Sequence, residues 1–108
     1  MAIKILELHH HAVRTGGSQE QADRTMAFYS DVLGLGADPG RPQITGIPGY
    51  WVDVGGRAQV HLMGVEGDSR FAKGPGQDPA MPHVAFAVED IVAARSELDR
   101  MGTTYWVA

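Results

Sequence analysis

The sequence predicts an α+β fold, on three observations. Stretches of helical period are interleaved with short strand-like runs, the joints between them are marked by Gly and Pro, and the order strand, helix, strands starts again near residue 80. With 108 residues, 44% hydrophobic and 20% charged, the chain suits one domain and is too short for two independent cores. A net charge of -4 without any Lys/Arg cluster argues against nucleic acid as a partner. No apolar run approaches the roughly 18 residues of a membrane span, and the first residues lack a signal-peptide core, so no membrane association and a cytoplasmic location are expected. Cysteine is absent, which leaves imidazole, carboxylate and water as metal donors.

Taken in order, Ile3 to Val13 reads as a first strand that breaks at Gly16-Gly17. Ser18 with Gln21 fits a capping box, and Ala22, Met26, Tyr29 and Leu33 recur at helical spacing up to the stop at Gly34. Phe28 and Tyr29 fall at core spacing and are given a structural role. Gly36 to Pro48 is dense in Gly and Pro and reads as an irregular excursion with a short edge strand around Gln43 to Thr45. Arg41, in Asp38-Pro39-Gly40-Arg41-Pro42, is placed in a solvated turn rather than on a substrate, as are Arg14, Arg57 and Lys73. Tyr50 to Val54 and Ala58 to Met63 flank Gly55-Gly56-Arg57 as an antiparallel hairpin. Gly64 to Pro82 reads as a functional flap or a linker. Then follow a strand, Pro82 to Val88, a helix, Asp90 to Met101, and a final strand, Thr103 to Val107. The second helix has Asp90 as N-cap, Ile91, Ala94, Leu98 and Met101 as its apolar positions, and Gly102 as stop. Setting His83 on His11 brings Met101-Gly102 near Leu33-Gly34 if the first copy carries extra residues at Gly16-Gly17, the trace of a duplicated unit.

Alternation along the strands puts Gln59, His61 and Met63 on one face, and His83 with Ala85 and Ala87 on one face opposite Val84, Phe86 and Val88. The bulky set is suited to packing on a helix. The face with histidines beside small alanines leaves room and reads as a cavity lining. In the first strand His9, His11 and Val13 share a face; alignment with His83 selects His11 and turns His10 toward the helix side.

The run Phe28-Tyr29-Ser30-Asp31-Val32-Leu33-Gly34-Leu35 resembles the "FY-x-D-x-LG" helix end of the glyoxalase/bleomycin-resistance/extradiol-dioxygenase group, the vicinal oxygen chelate superfamily. With it, in the family's order, come His10-His11-Ala12-Val13, Gln59-Val60-His61-Leu62 and Pro82-His83-Val84-Ala85-Phe86. The likeness covers the chain apart from the Gly36 to Pro48 and Gly64 to Pro79 loops. It implies paired βαβββ modules that form a cupped mixed sheet with helices on the outer face. Residues 1–65 would be the first module and 80–108 the start of a second, incomplete one. It also implies one divalent metal ion (Ni, Zn, Mn, Co or Fe) on His11, His61 and His83, with Trp51 and Asp53 contacting a small-molecule substrate. The family's carboxylate ligand comes from a strand beyond the equivalent of Val107, so neither it nor a catalytic base is assigned, and completion of the sheet is left to further chain or to a partner. A homodimer is expected. The first functional expectation is a metal-dependent lyase or isomerase of glyoxalase type acting on a small α-oxygenated carbonyl compound or thiol adduct. The alternatives are a non-haem iron dioxygenase of extradiol type and a metal-free drug-binding protein of bleomycin-resistance type.

Overall fold

Ile5–Arg14 form β1, and the sheet is built to both sides of it. The computed structural model describes residues 2–107. Ser18 caps helix α1, Gln19–Ala27: its hydroxyl accepts from the Gln21 N–H while the Gln21 side chain reaches back to the Ser18 N–H. The helix then loosens into a π turn, Phe28–Val32, and ends where Gly34 takes a φ of +68°. Strand β2 is the short Gly36–Ala37, and β3 (Gly49–Gly55) and β4 (Ala58–Met63) form the hairpin expected from Gly55-Gly56-Arg57. The last strand is β5, His83–Val88, and the second helix is α2, Ile91–Arg100, capped by the Asp90 carboxylate on the Val92 and Ala93 N–H groups. The sheet order is β2-β3-β4-β1-β5, with β1 parallel to β4 and every other pairing antiparallel. The fold is thus α+β with a mixed five-stranded sheet.

The sheet buries residues on both faces. On one, Val52 and Leu62 are fully buried beneath α1, which contributes Ala22. On the other, Ala12, Met63 and Val65 meet Ile47 and Ala80 from the two long loops, with Ile44 packed against them. Those loops therefore close over the face opposite the helix.

Five expectations are corrected. The edge strand falls at Gly36–Ala37, paired with Asp53 and Val52, and not at Gln43 to Thr45. The chain leaves the helix directly beside β3, whereas Pro42 and Pro48 remove ladder donors around Gln43. Residues 103–107 form no strand, and the sheet β2-β3-β4-β1-β5 gives them no ladder partner. Val84 and Phe86 pack under no helix: α2 leans on residues 2–4 at the end of the sheet, leaving Phe86 59% exposed and Leu8 49%. For the same reason Ile91 and Met101 point to solvent while α2 buries Ala94. Phe28, expected in the core, is half exposed and meets the Tyr29 ring edge to face.

Candidate functional site, a histidine pocket

Pairing register decides which histidines meet. Ala12 lies opposite His61 across the parallel β1–β4 ladder and opposite His83 across the antiparallel β1–β5 ladder, and directly opposed residues share a face. His10, two residues from Ala12, therefore joins His61 and His83, and His11 faces the other side opposite Val60 and Val84. This corrects the strand phase read from the sequence, which turned His11 inward and His10 outward. The irregularity between Leu8 and His10 breaks simple alternation, so that His9 is the inserted residue of a bulge.

The His10 ring stacks on that of His61 at 3.8 Å between centroids, and His61 in turn stacks on Trp51 at 4.8 Å, both within 12° of parallel. Hydrogen bonds give the imidazoles consistent tautomers. His83 Nδ1 is 2.6 Å from the Met81 carbonyl, which only accepts, so Nδ1 carries the proton and Nε2 the lone pair. His10 Nε2, 3.1 Å from His83 Nε2, is then the donor, which leaves its Nδ1 to accept from His9 Nδ1 at 2.7 Å. The result for neutral rings is a chain from His9 through His10 and His83 to the Met81 oxygen. His61 donates from Nε2 to the Gln59 side-chain oxygen at 3.0 Å, and the Gln59 amide nitrogen is held between Asp38 and Asp53. Burial first, and then the charges of His83 and His9, lower the His10 pKa. Burial, followed by its histidine neighbours and Arg41, brings His61 to about 4. Both shifts favour the neutral ring.

The cavity here has a volume of about 440 Å³ and is walled by Ile44, Ile47, Trp51, Met63, Phe71 and Pro79 around the three histidines. Trp51 thus lines the pocket, whereas Asp53, on the same strand face, is exposed and reaches it only through Gln59. The long loop after β4 supplies Phe71, Pro79 and Ala80 to the wall. Asp78 holds that loop in place, accepting from the Ser69 N–H (2.7 Å), the Ser69 hydroxyl (2.6 Å) and the Ala80 N–H (2.9 Å). Arg14 adds a bond to the Ala80 carbonyl and lies 3.7 Å from Asp78, so it is a clamp on the loop and not a solvated residue. Arg41 is likewise folded inward. Its side chain lines the pocket and donates to the Ile47 and Pro42 carbonyls, and burial lowers its pKa. Sequence reasoning missed this because Asp38-Pro39-Gly40 gives a turn signal whichever way Arg41 points.

Two imidazole nitrogens about 2.0–2.1 Å from a shared metal stand roughly 2.9–3.4 Å apart at cis-octahedral to tetrahedral angles. The 3.1 Å between His10 Nε2 and His83 Nε2 fits that span. His83 also donates its far N–H to a carbonyl, the outer-shell support that metal-binding histidines take, whereas the far nitrogen of His10 is held by His9 as an acceptor. His61 does not converge with them: its ring lies flat on His10 and its Nε2 is turned to Gln59. Among the described residues no group of three or more His, Asp or Glu is arranged to hold a metal, and no carboxylate lines the pocket.

The family model described as Glyoxalase/Bleomycin resistance protein/Dioxygenase superfamily matches residues 9–107, nearly the whole chain. No curated protein and no solved structure matches it significantly.

Proposed function

The chain belongs to the glyoxalase/bleomycin resistance protein/dioxygenase superfamily, and on that premise we propose that its histidine pocket is the centre of a divalent-metal-dependent lyase or isomerase of glyoxalase type. The substrate is a small α-oxygenated carbonyl compound or its thiol adduct. The observation that carries the reading is the pair of Nε2 atoms of His10 and His83, 3.1 Å apart inside an apolar cup.

His10 and His83 would hold the metal ion (Ni, Zn, Mn, Co or Fe), with His61, whose lone pair is on Nδ1, as the third candidate. Such an ion supplies Lewis acidity to the carbonyl oxygen of the substrate. His10 would free Nε2 by moving its ring proton to Nδ1, with the His9 proton moving from Nδ1 to its own Nε2 so that His9 Nδ1 accepts from His10. His83 is already in the required tautomer through Met81. Trp51, Ile44, Ile47 and Phe71 exclude water from the reacting centre, and Gln59, pinned between Asp38 and Asp53, fixes the polar wall. Two features support a homodimer as the working state: the apolar outer face of Leu8, Val84 and Phe86, and the unpaired edge of β5.

One observation favours a second reading, a metal-free binding protein of bleomycin-resistance type: the imidazoles already satisfy one another and stack with Trp51 into an aromatic wall. Metal content separates the two. Tag-free protein, loaded with each ion and dialysed, is assayed for metal per chain by plasma mass spectrometry, together with His10→Ala, His83→Ala and His11→Ala. Near-stoichiometric metal that is lost in the first two variants and kept in the third supports the metal centre, and iron as the bound ion shifts the reading to an extradiol-type dioxygenase. The absence of uptake of any ion overturns the metal centre in favour of the binding protein.

A further inference from the structure

Arg41 carries a positive charge that no ion pair among the described residues meets. Its guanidinium donates from one terminal nitrogen to the Ile47 carbonyl at 2.8 Å and from the other to the Pro42 carbonyl at 3.3 Å, both neutral acceptors. Two of its five N–H donors are used in these bonds. Its Nε is buried and has no hydrogen-bond partner, and among the described residues no carboxylate lies within ion-pair distance. A cation in that condition is costly to hold unless an anion arrives to pair with it. It stands in the wall between the histidine pocket and the wider hollow under residues 37–50, so both spaces lead to it.

We propose that Arg41 is the anion anchor of the histidine pocket and that the pocket takes a monocarboxylate with an apolar body. The lining selects a monoanion: Arg41 is the one lysine or arginine in the pocket wall, and a dianionic phosphate would leave surplus charge against Ile44, Ile47, Phe71 and Pro79. A planar carboxylate matches the planar edge of a guanidinium, and the apolar walls accept the rest of the molecule. This deepens the reading of the same pocket given above by naming the ligand class, but it rests on Arg41 and requires no metal.

The test uses protein stripped of metal with EDTA and follows binding by isothermal titration calorimetry. The probes are hexanoate and benzoate, the neutral benzamide, and inorganic phosphate; the proteins are wild type, Arg41→Gln and Arg41→Lys. Wild type is expected to bind at least one carboxylate, with benzamide and phosphate weaker by about tenfold or more. Arg41→Gln abolishes the preference for charge, and Arg41→Lys keeps part of it. If Arg41→Gln fails to fold by circular dichroism, the wild-type probe series and Arg41→Lys decide the matter. Equal binding of benzoate and benzamide, tight phosphate binding, or no carboxylate binding overturns the proposal. Carboxylate binding that appears only after a metal is added also overturns it while leaving the metal reading intact. Carboxylate binding by a protein that takes up no metal supports Arg41 and overturns the metal reading instead.

Discussion

Truncating Leu62 to alanine tests where the stability of this sheet resides. Leu62 is 1% exposed and lies on the face of β4 turned to α1. Leu→Ala removes three carbons, which at about 0.8 kcal/mol each is about 2.4 kcal/mol of lost transfer energy. The other buried residues of that layer, Ala22 and Val52, are short and cannot reach into the gap, so a cavity contribution raises the loss to about 3–4 kcal/mol. For a chain of this size that corresponds to a fall in Tm on the order of 12–25 °C. The comparison is Phe86→Ser: Phe86 is a larger residue but 59% exposed, and its replacement costs within about 0.5 kcal/mol if the outer face of β5 meets water in the monomer. Urea unfolding at two protein concentrations measures both. A Leu62→Ala loss below about 1 kcal/mol would refute the burial argument. A Phe86→Ser loss that grows with protein concentration would show that a second copy covers this face.

Two further predictions concern the frame of the pocket. A Cβ on Gly49 would lie 2.0 Å from the Leu62 carbonyl oxygen, so Gly49→Ala must force β3 from β4 and lower Tm sharply, whereas Gly36→Ala, with open space around it, leaves Tm nearly unchanged; differential scanning calorimetry of the two variants checks this. The Ser69 hydroxyl, then its N–H, and then the Ala80 N–H and Arg14 hold the Asp78 carboxyl below its ordinary pKa. Its contribution to stability is therefore complete above about pH 4 and lost as pH falls through the depressed folded value. Asp78→Asn should flatten that acid limb in a Tm-against-pH series, and a limb unchanged by the substitution would count against the role given to Asp78.

The local features of this chain were legible because their causes are local. Ser18 and Gln21, Asp90, and Gly55-Gly56-Arg57 each act within a few residues, and the structure places the cap, the second cap and the hairpin where these residues put them. The helix end that resembles the superfamily signature led to the family that the match over residues 9–107 shows. Three adjacent histidines defeat the same approach. Which of His9, His10 and His11 enters the cup depends on the register of β1 against β4 and β5 and on a bulge, and those partners are distant in sequence. Arg41 was invisible for a related reason, since Ile47 and the cavity that receive it are assembled only on folding. The missing strand at Thr103 to Val107 shows the converse: a run with strand propensity forms none without a neighbour.

The central place of β1 has a consequence for how the chain reaches this arrangement. This strand has partners about fifty residues on in β4 and about seventy on in β5, whereas β3 and β4 are joined by a tight turn. Closing large loops must precede the contacts that repay them, so the hairpin is set to form early and β1 to be inserted late, between strands that must wait for it. Until then the apolar side chains of β1 have no cover, and the pocket histidines remain apart. Docking of β1 against β5 is what brings His10 to His83, so the rate at which the two meet would report on that docking directly.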